Sequence, residues 1–293
     1  MKSSGMARIR GYVSAQRFEA GGQFLRLHHA GVTRRQILRP IRFPRALLAS
    51  TDPDSLGMEN VGKSRFGVVC DGYTVAKRGG ASRHAVIDAF TKLGFPACAK
   101  TWQGDFAISL YDESSHTLFL ARDRIGVRPI YYVAKRDWIA FSSQPLPLTY
   151  LPGVGREPNP VFLGLYAGSH YRTFDNDPHA SPYRNIRQLP AGHWLRWCAG
   201  TWEIQRYWSL SDQGDFSQTE EELARQYRKK LFHAVQRRLE IAKNPGFLLS
   251  GGMDSSSVLS AAVRLTGRKQ KAYSSTYEDS LYDESGEIRT ILD

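Results

Sequence analysis

The chain has 293 residues, of which 41% are hydrophobic and 23% are charged, a balance that is typical of folded proteins and excludes a disordered or low-complexity chain. The length has room for about two domains. Forty Lys and Arg residues against 28 Asp and Glu residues give a formal net charge of +12, which favours anionic ligands.

Features that report on the compartment predict a cytoplasmic protein. The N-terminal stretch MKSSGMARIRGY lacks the apolar run of a secretory leader, and no later segment has the length and hydrophobicity of a membrane span. Cys70, Cys98 and Cys198 are odd in number and lack metal-ligand spacing, so we expect buried, free thiols in a reducing compartment. The arginines are spread along the chain without interleaved aromatic residues on one element, so nucleic-acid binding is not expected.

The first 65 residues carry weak patterns. Residues 9–13 and 24–28 are predicted to be short strands, and residues 31–63, with three prolines and scattered basic residues, are predicted to be irregular. We interpret His28 and His29 as polar residues at a strand end, because no other ligand-type residue stands at a spacing useful for a metal.

The patterns sharpen after residue 65 and predict an α+β domain. The residues at 83–93 have the apolar spacing of a helix, and residues 145–190, rich in Pro, Gly and Asn, are predicted to be an irregular connection. Strands are predicted at residues 66–70, 105–110, 117–121, 129–133 and 138–142. Two of these, 105–110 and 117–121, flank a polar turn and predict a hairpin, so a sheet is expected to pack against helices.

A second unit is predicted after a linker at residues 214–218. Thr219 and Glu222 form the sequence pattern of a capping box, and an amphipathic helix is predicted to follow it to residue 240. A strand at residues 247–249, a helix, a strand at 271–277 and a helix from residue 283 then alternate, which is typical of the start of a doubly wound parallel sheet.

The second unit is organised around the stretch FLLSGGMDSSS, residues 247–257, in which a short apolar strand stops at Ser250, Gly251 and Gly252 and a helix begins. Glycines allow close approach of a ligand, and the N-terminus of a helix presents unpaired N–H groups and a positive dipole end, so a phosphate is expected there. Asp254 stands where a Mg²⁺ ion bound to phosphate oxygens would be held. No Gly-Lys-Ser/Thr follows, so this is not a Walker loop; it resembles the SGGxDS pyrophosphate loop of ATP-pyrophosphatases.

Several segments together resemble the asparagine synthetase family, which includes β-lactam synthetases and lasso-peptide macrolactam synthetases. The resemblance runs from about residue 66 to residue 293 and follows the order of the family's motifs. The matching segments are GDFAISLYD (104–112), LFLARDRIGVRPIYY (118–132), 141–143, IRQLPAGH (186–193), Tyr207-Trp208, SGGMDSS (250–256) and Tyr282-Asp283-Glu284.

The resemblance implies two domains. Residues 1–213 would be a glutamine amidotransferase type 2-like domain with an Ntn-hydrolase-like αββα sandwich, and residues 219–293 would be the N-terminal part of an α/β ATP-pyrophosphatase domain, similar to the adenine nucleotide α-hydrolases. This domain would activate a carboxylate with ATP and Mg²⁺ for attack by ammonia or an amine. Asp254 would bind the metal, and the implied ATP contacts are Leu249, Ser250, Gly251, Gly252, Asp254, Ser255, Ser256 and Ser275.

Three departures from the family pattern limit what the resemblance implies. Ala7 stands at the position of the family's nucleophilic cysteine, and a methyl group cannot attack an amide; Ser3 and Ser4 do not follow the initiator Met. The glutamine-holding Asn-Gly-Glu is replaced by Asp71, Gly72 and Tyr73, and the acid that pairs with the substrate's amino group by Arg83. The chain also ends soon after Glu284, before the family's later synthetase motifs.

These departures leave three hypotheses open. The first is an ATP-dependent amide-forming ligase of the asparagine synthase type, with a truncated frame or a separately encoded C-terminal synthetase fragment as partner. The second is a macrolactam or β-lactam synthetase of a natural-product pathway, with a precursor peptide or another carboxylate as substrate, and the lost cysteine favours it. The third is a catalytically inactive fragment or binding protein.

Overall fold

The computed structural model describes residues 8–16, 39–74, 83–168, 177–210, 217–242, 244–278 and 283–292, and every structural statement below concerns these residues. The chain divides into two compact units, Met1–Leu210 and Ser211–Asp293. The predicted strand at residues 24–28, the histidines His28 and His29 and most of the predicted linker lie outside the described residues.

The first unit contains two six-stranded sheets, each antiparallel throughout. In the first sheet the order is β10-β8-β9-β1-β3-β2, and in the second it is β12-β11-β7-β6-β5-β4. The strands are β1 (Ile9–Ser14), β2 (Arg39–Arg42), β3 (Ala46–Ser50), β4 (Leu56–Val61), β5 (Ser64–Thr74), β6 (Gly104–Asp112), β7 (Thr117–Arg122), β8 (Tyr131–Ala134), β9 (Trp138–Ser142), β10 (Arg187–Gln188), β11 (His193–Cys198) and β12 (Thr201–Arg206).

The two sheets face each other across an apolar core. Successive side chains of a strand point to opposite faces, so Ile9 and Val13 of β1 pack in the core between the sheets while Tyr12 packs on the other face. Phe141 of β9 and Trp197 of β11, one from each sheet, are fully buried in the same core. The two sheets therefore form a sandwich with a shared core.

Different elements cover the outer faces of the two sheets. Helix α1 (Arg83–Leu93) and helix α2 (Phe95–Thr101) supply Val86, Phe95 and Cys98 to a cluster on the outer face of the second sheet. On the outer face of the first sheet, a 3-10 helix (Leu146–Tyr150) and the loop after it place Leu148, Leu151 and Val154 against Tyr12 and Val133. The predicted sandwich is therefore confirmed.

Two predictions about irregular segments are wrong. Residues 31–63 include three strands, among them β3, in which every residue is buried. Its sequence, ALLAS, has no period-two alternation because both faces of this strand are covered. The predicted connection at residues 145–190 contains helix α3 (Pro160–Gly168), whose apolar sequence PVFLGLYAG hides a helical period; of its side chains only Phe162 is buried.

The second unit is a β-α-β unit flanked by helices. Its elements are α4 (Glu220–Ile241), β13 (Gly246–Leu248), α5 (Met253–Thr266), β14 (Lys271–Tyr273) and α6 (Ser285–Leu292). The two strands are parallel, as predicted, although β14 ends four residues earlier than predicted, at Tyr273 rather than residue 277. The capping box is confirmed, because the Thr219 hydroxyl accepts from the Glu222 N–H and the Glu222 carboxylate accepts from the Thr219 N–H.

Only the C-terminal half of the apolar face predicted for α4 is covered. Val235 is buried against Ala261 and Ala262 of α5, with Leu231 and Leu239 packed beside it. Leu223 and Tyr227, predicted on the same face, are 50% and 63% exposed.

A glycine in β1 provides a test of the sheet packing. A Cβ atom at Gly11 would lie 2.2 Å from Cε1 of Phe141 and 2.9 Å from Cδ2 of Leu48, so Gly11→Ala is expected to lower the free energy of unfolding by about 1–3 kcal/mol. All six tryptophans lie in the first unit, so urea unfolding followed by tryptophan fluorescence reports on this unit.

The matched control is Gly164→Ala in α3, where a Cβ atom would meet no heavy atom within 4 Å. This variant is expected to match or exceed the parent by up to about 1 kcal/mol, because alanine has the higher helix propensity. Equal stabilities of Gly11→Ala and the parent would contradict the described packing of β1.

Candidate functional site

The loop between β13 and α5 lies at the carboxyl end of the parallel sheet. Because parallel strands place their carboxyl ends at one edge, the residues after β14 come to the same place as this loop. The Ser274 hydroxyl donates to the Leu249 carbonyl at 2.7 Å, and the Leu249 N–H donates to the Tyr273 carbonyl at 2.9 Å. Leu249 is buried in the core of the unit, which anchors the loop at its start.

Three backbone amides at the start of α5 have no acceptor in the part of the chain that the structure describes. They belong to Met253, Asp254 and Ser255, and the first helical hydrogen bond comes one residue later, from the Ser256 N–H to the Gly252 carbonyl at 3.3 Å. Gly252 caps the helix without a side chain of its own. Unpaired amides at the positive end of a 14-residue helix fit the oxygens of an anion.

The serine hydroxyls hold the loop in shape. Ser255 Oγ lies 2.9 Å from Ser250 Oγ and accepts from the Ser250 N–H at 3.1 Å. It also lies 3.2 Å from the Gly252 carbonyl oxygen, and the Ser256 hydroxyl donates to that carbonyl at 3.0 Å. These bonds define the curve that a phosphate would enter, and contact of these hydroxyls with ATP stays a prediction.

The two glycines are required for space rather than for an unusual dihedral angle. Neither residue has a positive φ, so the expectation that they adopt conformations other residues avoid is wrong. A Cβ atom at Gly251 would lie 2.8 Å from the Cβ of Glu287 in α6. At Gly252 the nearest atom would be Ser250 Oγ at 3.3 Å, which leaves the backbone open to a ligand.

Asp254 and Ser275 both lie at the edge of the loop. Asp254, in the first turn of α5, is exposed, and Ser275 is exposed two residues after β14. Mg²⁺ keeps several waters and phosphate oxygens and needs only one or two protein carboxylates, so a single exposed aspartate fits that ion. The described residues contain no group of three or more His, Cys, Asp or Glu side chains that could enclose a metal.

Sequence reasoning assigned no role to Glu284, yet its carboxylate lies on the loop. The Gly251 N–H donates to Glu284 Oε2 at 3.1 Å. The signal was present in the Tyr282-Asp283-Glu284 motif, although a motif alone does not say which atom its acid contacts.

The first unit has its own buried polar cluster, around Asp71 near the end of β5. Asp71 is 3% exposed; Ser143 donates its hydroxyl to Oδ2 at 3.2 Å, and Arg128 Nη1 lies 3.5 Å from Oδ1. Ser143 also accepts from the Ile9 N–H at 3.0 Å, so the cluster lies beside the start of β1. Sequence reasoning missed Arg128, which was visible only as part of the motif LFLARDRIGVRPIYY.

Burial controls the charge of this cluster. Desolvation raises the pKa of Asp71 to about 6, against the opposing effect of Arg128 and the Ser143 hydroxyl. Burial likewise raises the pKa of the neighbouring Cys70 to about 12, so that thiol stays protonated. Asp71 therefore presents a buried carboxylate to the guanidinium of Arg128.

The two residues that follow Asp71, Gly72 and Tyr73, both contact Asp105. Gly72 has a φ of +99°, and a Cβ atom there would lie 2.0 Å from the Asp105 carbonyl oxygen, so glycine is required. The Tyr73 hydroxyl donates to Asp105 Oδ2 at 3.2 Å. Ala7 and the Arg83 side chain lie outside the described residues.

A second carboxylate in this unit supports the neighbouring loop. Asp123 is fully buried and accepts from the N–H groups of Val127 and Arg128, both at 2.9 Å. The guanidinium of Arg122 donates to the Leu189 and Gly126 carbonyls at 2.8 Å. This network fixes the segment that carries Arg128 towards Asp71.

Two different family models match the two units of the chain. A glutamine amidotransferase domain model matches residues 76–208, and an asparagine synthase model matches residues 226–293. In both units the chain is similar to proteins of the asparagine synthetase family. The amidotransferase match covers the greater part of the first unit, whose two facing antiparallel sheets form the sandwich, and the asparagine synthase match lies in the second unit.

Relatives of the chain include two proteins of Bacillus subtilis. "Asparagine synthetase [glutamine-hydrolyzing] 2" is 32% identical over 53% of this chain and 22% of its own length, and "Asparagine synthetase [glutamine-hydrolyzing] 3" is 27% identical over 62% and 30%. "Amidase chyE" of Penicillium rubens is 29% identical over 53% and 23%. The chain spans less than half of the length of the curated relatives it matches.

A solved structure, glutamine phosphoribosylpyrophosphate amidotransferase from Bacillus subtilis, aligns with a TM-score of 0.43 and 11% identity over 93% of this chain and 66% of its own. The fold assignment therefore rests on the two sheets and the matched domain. No helix among the described residues has the length and apolar character to cross a membrane.

The buried carboxylate predicts a specific pH dependence of stability. Because the folded-state pKa of Asp71 lies above its ordinary value of 3.8, the contribution of Asp71 is present below about pH 4 and is lost as the pH rises through about 6. Over this window, we expect the free energy of unfolding of the parent to fall by about 2 kcal/mol relative to Asp71→Asn. Urea unfolding followed by tryptophan fluorescence at several pH values measures it.

Asp54→Asn, which alters an exposed carboxylate of the same unit, is the control and should retain the parent's pH slope. Identical slopes for the parent and Asp71→Asn would contradict the burial of the Asp71 carboxylate.

Proposed function

We propose that the chain provides the nucleotide-binding part of an ATP-dependent amide-forming ligase of the asparagine synthase type. In this reaction ATP supplies the adenylyl group that activates a carboxylate, and ammonia or an amine then attacks with release of AMP. The observation that carries the proposal is the row of amides at residues 253–255 that find no acceptor among the described residues, at the carboxyl edge of a parallel sheet and within the matched asparagine synthase segment.

Each loop residue has a role in this proposal. The amides at the start of α5, together with the open backbone at Gly252, would bind the β- and γ-phosphate oxygens and stabilise charge on the departing pyrophosphate. Asp254 would hold Mg²⁺, which shields the same oxygens. Ser275, two residues after β14, would contact the adenine side of the nucleotide.

The amidotransferase domain is proposed to be inactive as a glutaminase. Ala7 supplies no nucleophile, and the carboxylate of Asp71 is engaged with Arg128 and Ser143. The amine would then come from free ammonia or from a substrate that carries its own amine.

The absence of a nucleophile at Ala7 favours a second candidate, a macrolactam or β-lactam synthetase of a natural-product pathway. In such an enzyme the amine belongs to the substrate. The genomic neighbourhood separates the two candidates, because a small precursor-peptide gene beside this one would indicate macrolactam formation.

A separately encoded C-terminal synthetase fragment is a further proposed partner. ATP–pyrophosphate exchange with candidate carboxylates, measured with and without that fragment, tests the ligase activity. Absence of exchange in both mixtures would favour an inactive or binding protein.

The metal assignment is tested by Asp254→Asn. Asp254 is the only acid in the loop, so its loss should weaken Mg·ATP binding by about tenfold or more, measured by isothermal titration calorimetry and by the nucleotide-dependent thermal shift. Glu240→Gln removes an exposed acid at the end of α4 and should bind like the parent. Equal thermal shifts for parent and Asp254→Asn would argue against the assignment.

The amidotransferase assignment predicts that the purified chain releases no ammonia from glutamine, because a methyl group stands in place of the nucleophile. A coupled ammonia assay measures this, with a glutamine-hydrolysing asparagine synthetase as positive control. Ammonia release above a no-enzyme blank would show that another residue acts as nucleophile.

A further inference from the structure

The N-terminal end of α6 closes over the loop between β13 and α5. The Gly251 N–H donates to Glu284 Oε2 at 3.1 Å, and a Cβ atom at Gly251 would lie 2.8 Å from the Cβ of Glu287 and 3.4 Å from that of Glu284. A backbone amide of the proposed phosphate cradle thus already has an anionic acceptor from the chain itself.

Helix packing holds Glu284 in this place. Ile288, one turn into α6, is buried in a cluster with Leu249 and Leu259, and its N–H donates to the Glu284 carbonyl at 3.0 Å. The core of the unit therefore fixes the backbone of Glu284 beside the loop. The contact with Gly251 needs only the side-chain torsions of Glu284 to be ordered.

The neighbouring acid does not compete for the Gly251 amide. Asp283 accepts from the Ser285 hydroxyl and from the Tyr277 N–H, and these hydrogen bonds lower the pKa of its carboxyl group. Its oxygens are thereby engaged by Ser285 and Tyr277. Glu284 is left as the carboxylate that contacts the loop backbone.

A carboxylate and a phosphate oxygen are alternative acceptors for the same N–H. One amide donates one strong hydrogen bond, and both acceptors carry negative charge, so they also repel each other at this distance. The amides of residues 253–255 have no described acceptor, whereas that of Gly251 is engaged. A nucleotide tail that uses the whole loop has to displace the Glu284 side chain.

We propose that Glu284 is an intramolecular competitor that occupies the Gly251 amide until the phosphates of a nucleotide displace its carboxylate. This inference rests on the proposed nucleotide site and adds its regulation. The backbone of α6 stays in place, since Ile288 holds it, and the Glu284 side chain alone rotates away. Glu284 thereby lowers the affinity of the loop for phosphate and closes the loop when the nucleotide is absent.

Glu284→Gln in the full chain tests the proposal. The amide is nearly isosteric but lacks the charge, so the dissociation constants for inorganic pyrophosphate and for Mg·ATP should fall by about fivefold to tenfold, measured by isothermal titration calorimetry. Hydrogen exchange at the Gly251 amide, measured by NMR without any ligand, should be faster in the variant, because its acceptor is weaker.

The matched control is Glu287→Gln, which removes the same charge from the next position of α6 that faces Gly251 and to which no described amide donates. Its dissociation constants should change by less than about twofold, because an exposed charge without a hydrogen bond contributes little. Similar gains in both variants would assign the effect to net charge and overturn the proposal.

The remaining outcomes separate this inference from the proposed function. Equal affinities of the parent and Glu284→Gln for the nucleotide would overturn the competition alone. Weaker binding by Glu284→Gln would also overturn it, because it would indicate that the carboxylate is a ligand of the metal. Absence of binding by parent and variant overturns the nucleotide site and the competition with it. Equal hydrogen-exchange rates at the Gly251 amide in the parent and Glu284→Gln would contradict the hydrogen bond between Gly251 and Glu284, and with it the proposal.

Discussion

Backbone N–H groups that leave regular secondary structure need acceptors, and carboxylates meet this constraint at both polar centres of the protein. In the first unit, Asp123 accepts from the amides of Val127 and Arg128 and so fixes the loop after β7. In the second, Glu284 accepts from Gly251, while the amides at residues 253–255 have no described acceptor. Amides that have an acceptor hold the loops in place, and a ligand is expected at the amides without a described acceptor.

The cluster around Asp71 stands where a vestigial glutamine site was predicted, and its backbone and polar groups have a structural role of their own. The backbone keeps Gly72 at a positive φ, which only glycine tolerates against the Asp105 carbonyl, so the turn is retained. The polar groups, however, satisfy one another only in part: the buried carboxylate accepts from Ser143 and lies 3.5 Å from Arg128 Nη1, and its Oδ1 has no hydrogen-bond donor among the described residues. Such a pair contributes little to stability on its own, because desolvation offsets the attraction, yet removing one partner leaves a buried charge.

Much of the fold could be predicted from local patterns. The hairpin of β6 and β7, helix α1, the capping box of α4 and the parallel β13-β14 pair each carry a period or a cap that belongs to one element. Strand β3 could not be predicted, because a strand covered on both faces has no alternation, and neither could α3, whose residues are almost uniformly apolar. The missing information in both cases is what packs against the element.

The site was predicted in part for the same reason. Strand, glycine turn and helix are contiguous in sequence, so residues 249–256 could be proposed as a phosphate loop without knowledge of the tertiary fold. Arg128 and Glu284 act on residues 57 and 33 positions away, Asp71 and Gly251, and only the folded chain brings them there. The role of the two glycines was misjudged because a sequence does not distinguish a need for space from a need for a dihedral angle.

The position of β1 has a consequence for how the chain is made. This strand is central in its sheet and pairs with β3 on one side and with β9, which ends at Ser142, on the other. A ribosome therefore has to synthesise nearly half of the chain before the first strand finds its second neighbour, and until then one edge of β1 lacks its partner. Such long-range pairing slows folding and lengthens the time during which the unpaired edge of β1 can pair with another chain, so aggregation competes with folding during synthesis.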